Sequence, residues 1–152
     1  MATATVTNAY VLSIMQVQDG TANNLDISYF KIGEGGWETS GGTQVPRTPD
    51  PTLTDVDAIE NPPRYPVDGR YVFQKSITAD KINITGADTI EVECFVDTSE
   101  ANDDGYGNSP EFFELGVFDS DDTMICYLTF QKQTKDDRRA LRHTVTIQRT
   151  IV

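Results

Sequence analysis

The sequence predicts a mainly β protein: an antiparallel β-sandwich or barrel with one short N-terminal helix and a long proline-rich loop. Three observations lead to that expectation. From residue 71 onward, short apolar or alternating runs succeed one another, separated by Gly, Asn, Asp and Ser. No strand pattern is followed by a helix pattern and a further strand, so the rhythm of a parallel sheet is missing. Six of the seven prolines fall within residues 41–70 and bar an interior strand there. At 152 residues the chain suits a single domain, residues 1–152, with a proper core.

The elements follow in order. In NAYVLSIMQVQ, residues 8–18, Asn8 or Thr7 is the cap candidate and Gly20 a stop, while Tyr10, Val11, Ile14 and Met15 share a stripe. That spacing predicts a short amphipathic helix within residues 1–20. LDISYFKIG alternates, with Leu25, Ile27 and Tyr29 on one face and Phe30 and Ile32 on the other, as a strand does. IGEGGWETSGG is a glycine-dense loop around Trp37. It has neither a GK[ST] continuation nor a following helix, so a phosphate-cradling role is not expected. Trp37 either caps the core or docks a partner.

Residues 41–70 form a connection too long for a compact domain unless it has a task, such as contacting a partner. Within it Leu53, Val56 and Ile59 fit one helical turn. RYVFQKSI, KINIT, TIEVECFV, FFELGVF, TMICYLTF and HTVTIQRTIV then supply the strand-rich part, residues 71–152. Ile90, Val92, Cys94 and Val96 share a face, and Cys126 is in phase with Met124, Leu128 and Phe130. Both cysteines are therefore expected as small core residues rather than a redox pair.

Net charge is −12, which disfavours nucleic acid and an anionic membrane surface as partners. The charge is also uneven. Residues 97–131 hold nine acids and no Lys or Arg, whereas residues 132–152 carry a net +4 and the rest of the chain −16. A solvated surface with a basic end is one reading; complementary faces on neighbouring subunits is the other. The first residues lack a signal peptide's charged start, and no apolar run is long enough to span a bilayer.

Three places offer candidate chemistry. His143, the only histidine, has no nucleophile motif beside it, so no enzyme is expected. EANDDGYGNSPE, residues 100–111, fits a calcium-loop pattern except at its first position. Glu100, Asn102, Asp104 and Glu111 would offer side-chain oxygens and Tyr106 a carbonyl, the hard donors calcium takes. The flanks read as strands rather than helices, and a polar turn of that composition is the competing reading. The tetrad Asp119-Ser120-Asp121-Asp122 lies between two apolar runs and is expected as a hairpin connection, not a metal site.

Four motifs in order carry a resemblance: Thr7-Asn8-Ala9, then Phe30-Lys31-Ile32-Gly33-Glu34-Gly35-Gly36, then Pro51-Thr52-Leu53-Thr54, then FELGVFDSDDTMI from Phe113 to Ile125. Together they resemble the N-terminal attachment domain of bacteriophage tail-collar fibre proteins. Asp122 stands where that pattern has a turn glycine, and no long fibre shaft follows. The resemblance implies a virion structural protein of the tail (collar, baseplate or fibre attachment), made in the host cytoplasm, without cofactor or catalytic residues. Its partners would be itself, as a trimer or ring, and other phage tail proteins. Trp37, Leu53, Val56, Ile59, Arg138, Arg139 and Arg142 are the expected interface residues. The alternative is a calcium-assisted β-sandwich that binds carbohydrate or a cell-surface receptor.

Overall fold

The computed structural model describes residues 5–6, 26–60, 71–85 and 89–148; the helix expected at 8–18 lies outside them. In chain order the strands are β1 (Thr5–Val6), β2 (Tyr29–Gly33), β3 (Trp37–Ser40), β4 (Thr43–Pro46), β5 (Val72–Ser76), β6 (Ile82–Ile84), β7 (Thr89–Val96), β8 (Glu111–Phe118), β9 (Met124–Thr134) and β10 (Leu141–Gln148). One helical turn, α1 (Asp57–Glu60), lies between β4 and β5. A five-stranded sheet runs β1-β9-β8-β2-β5, a three-stranded sheet runs β10-β7-β6, and β3 pairs with β4 alone. Every pairing is antiparallel, as the sequence predicts.

The two larger sheets share one core. Phe30, Ile32, Leu115, Val117, Cys126 and Leu128 come from the first, and Val92, Cys94, Val96, Val145 and Ile147 from the second. Both cysteines are buried free thiols, and burial pushes Cys126 up to about 12. Ile27 joins this cluster with Phe30 and Ile32 rather than siding with Tyr29. Among the described residues of that segment strand geometry starts at Tyr29, and Leu25 of the expected alternation lies outside them.

β8 is buried without a break from Phe112 to Phe118 because both its faces are covered. Its outer side is closed by the proline-rich connection: Leu53 and Val56 pack with Tyr29, Phe118, Met124 and Tyr127. Burying a side chain such as Val56 is worth about 1.5–3 kcal/mol, so this cover is part of the fold. That corrects the expected interface. Leu53 and Val56 are 7% and 0% exposed and contact this chain's own sheet, whereas Ile59 in α1 is 49% exposed.

A second correction concerns the glycine-dense loop, which contains a β-hairpin. Gly41 and Gly42 have φ of 59° and 79°, the left-handed pair that a two-residue hairpin turn demands.

Candidate functional site

The most densely connected polar site lies under the cover, at Glu114 of β8. Its carboxylate accepts hydrogen bonds from Tyr127 Oη at 2.6 Å, Asp57 N at 2.7 Å, Ala58 N at 3.0 Å and Gly35 N at 3.1 Å. A carboxylate has about four acceptor positions, and all four are used. The residue is fully buried; burial pushes its pKa up to about 7, against the pull of the hydrogen bonds from Tyr127, Ala58 and Asp57.

A second carboxylate stands beside the first. Asp57 accepts from Gly36 N at 2.9 Å and pairs with Arg47 at 2.9 Å. Arg47 also donates to the Trp37 carbonyl at 3.0 Å and so ties the hairpin base to α1. Glu34, from the same glycine loop, accepts from Glu111 N at 2.8 Å and Tyr71 N at 3.2 Å.

These contacts explain the glycines. A Cβ on Gly35 would lie 2.2 Å from Ala58 N and 2.7 Å from Glu114 Oε1, and one on Gly33 would lie 2.5 Å from Glu114 Oε1. The loop presents N–H groups to anions, as a phosphate loop does, but the anions are the protein's own Glu114 and Asp57. Sequence reasoning took Glu114 only as part of a motif. The signal available was an acid inside an otherwise apolar run, which requires buried partners.

The calcium expectation meets a different arrangement. Glu100 bonds Lys75 Nζ at 2.7 Å, and Asn102 Oδ1 accepts from Lys135 Nζ at 2.6 Å. Lys135 is fully buried and also donates to the Asp136 carbonyl at 2.9 Å. Its burial lowers its pKa, while nearby acids oppose the shift. Asp104 turns its oxygens onto Tyr106 N and Asn108 N, Tyr106 is exposed, and Glu111 lies 3.5 Å from Lys132. The four side chains thus turn to three lysines and the loop backbone. Among the described residues, no group of three or more His, Cys, Asp and Glu is placed to hold a metal ion.

The acidic tetrad connects β8 to β9. Asp119 Oδ1 accepts from Asp121 N and Thr123 N, each at 2.9 Å. Asp122 has φ of 63°, and its carboxylate accepts from Tyr29 Oη at 2.7 Å.

The remaining expected interface residues are scattered. Trp37 is half-buried with its ring 6.3 Å from that of Phe113. Arg142 lies on the outer face of β10, 3.0 Å from Glu93 and over the Phe95 ring. Arg139 faces Asp136 at 3.7 Å, and Arg138 is exposed on the same turn. His143 is half-buried against Phe130 and 2.8 Å from Gln133, and burial lowers its pKa. Among the described residues, no helix is long and apolar enough to cross a membrane. No protein-family model, curated protein or solved structure matches this chain.

Proposed function

We propose that this chain is a structural protein of a bacteriophage tail: a collar, baseplate or fibre-attachment component that works by assembling with copies of itself and neighbouring tail proteins. One observation supports this above the others. Two of the four segments that carry the tail-collar resemblance meet at Glu114, the glycine loop through Gly35 and the strand of Glu114 itself, and Asp57 and Ala58, just after Pro51-Thr52-Leu53-Thr54, bond the same carboxylate. Two segments that match one pattern in sequence also share a tertiary contact, and that agreement supports the reading. Asp122 adds to it, because the position where the pattern has glycine adopts a positive φ here.

The chemistry of the site favours architecture over turnover. Both carboxylates are spent on backbone N–H groups, a tyrosine and an arginine that join loop, cover and sheet. In vitro complementation tests the reading. Particles of a phage encoding this chain, grown without it, should lack a complete tail end and regain infectivity when the purified protein is added. Fully assembled, infectious particles formed in its absence would overturn the proposal.

A further inference from the structure

Among the described residues, two sheet edges without a further strand lie side by side. β10 ends its sheet: Leu141 to Gln148 pair with β7 in unbroken register, and no strand lies on the other side among the described residues. β1 pairs with Cys126 and Tyr127 of β9, and among the described residues no strand pairs with that side of β9 from Leu128 to Thr134. Native sheets guard such edges with short strands, prolines, bulges or inward charges. The opposite edge, β6, is three residues long, whereas β10, LRHTVTIQ, has eight residues and neither proline nor bulge. Between β9 and β10 runs a groove of about 650 Å³ lined by Leu128, Phe130, Gln133, Arg142, His143 and, at one end, Pro46.

The β3–β4 hairpin stands beside that groove. Every residue from Glu38 to Thr43 is exposed, and a Cβ on Gly41 or Gly42 would meet nothing within 4 Å. Its anchors are at the base, where Trp37 packs on Phe113 and Arg47 bridges to Asp57. A two-stranded ribbon is only marginally stable in water, so one whose turn and first strand are exposed gains from a surface that covers them.

We propose that the hairpin Trp37–Pro46 of one copy docks into the β9–β10 groove of a second copy, adding strand to open edge; this deepens the assembly reading above and rests on it. Charge selects a second copy as the occupant. The hairpin carries Glu38 and no cation, the groove carries Arg142, whose guanidinium also pairs with Glu93 of its own chain, and the chain end from Lys132 is +4 against −16 for the rest. Backbone hydrogen bonds along the edges supply affinity, and side-chain charge sets orientation. Because Pro46 belongs to both hairpin and groove, donor and acceptor surfaces adjoin, and copies can exchange hairpins reciprocally in a closed contact.

Sedimentation velocity of the full chain, over a range of concentration and salt, tests this. The wild type should associate, more weakly at high salt. Glu38→Arg and Arg142→Glu should each weaken association about five- to tenfold, and the double variant should recover it, because the proposed contact sets these two charges against each other across the copies. Hydrogen exchange of the wild type supplies a second readout: amides of residues 141–148 should gain protection as concentration rises. A monomer at every concentration, absence of recovery in the double variant, or concentration-independent exchange in β10 would each overturn the contact. Should the contact fail while the purified chain still restores infectivity, the tail assignment stands without it. Association as described, with particles that do not need the chain, would instead remove the tail assignment.

Discussion

Replacing Tyr127 with Phe removes one hydroxyl and leaves the ring in place. The lost bond is the 2.6 Å contact to Glu114, made inside a fully buried site. Hydrogen bonds to charged groups contribute about 1.5–3 kcal/mol, so a loss of about 2 kcal/mol is expected when Glu114 is ionised. The loss should depend on pH. Glu114 titrates near 7 in the fold against 4.5 unfolded, so its protonated form is the stabilised one. Its contribution is complete below the unfolded value and is lost as pH rises through about 7, amounting to roughly 3 kcal/mol over that window. The Tyr127 hydrogen bond lowers the Glu114 pKa, so removing it should raise that pKa further and deepen the loss on the alkaline side. Thermal unfolding followed by circular dichroism at pH 8 and pH 5 reads both effects. For a chain of this size about 2 kcal/mol corresponds to roughly 4–8 °C at pH 8, with a smaller shift at pH 5. Equal shifts at the two pH values, or no shift at pH 8, would refute the assignment of Glu114 as the buried acceptor.

Other substitutions probe the same framework. Gly35→Ala places a methyl 2.2 Å from Ala58 N, against backbone that cannot swing away, and should cost about 3 kcal/mol or more by denaturant unfolding. A cost no larger than that of an exposed Gly42→Ala would contradict the close approach. Lys135→Met should lower the melting temperature and speed hydrogen exchange across residues 97–110, since it leaves Asn102 Oδ1 without its 2.6 Å donor. If a lysine rather than calcium organises that loop, a chelator should leave wild-type melting unchanged; a clear chelator-induced drop would count against it.

The mainly β, antiparallel character was readable because the strands of residues 71–148 carry their patterns openly, as TIEVECFV does with acids and apolar residues alternating. Strand β8 was readable too, but its double covering was not. An unbroken apolar run says that both faces are buried without saying what covers the second one. Leu53 and Val56 were therefore assigned outward, when the proline-rich connection in fact folds back over Tyr29, Phe118 and Met124. The β3–β4 hairpin is not evident in the sequence although Gly41-Gly42 between short polar runs is a hairpin signal; its residues from Glu38 to Thr43 have no apolar alternation because all of them are exposed. The calcium pattern failed for a different reason. Sequence spacing put oxygens close together along the chain, and two distant lysines, Lys75 and Lys135, drew Glu100 and Asn102 apart. The four donors on Glu114 come from three separate segments, and such a convergence exists only once the chain has folded.

Quantitative mass spectrometry of purified virions, from a phage that encodes this chain, tests the assembly assignment most directly. The account predicts the chain among the tail proteins at several fixed copies per particle, retained through density-gradient purification. Its absence from particles, in a lysate where infected cells make it abundantly, would contradict the assignment.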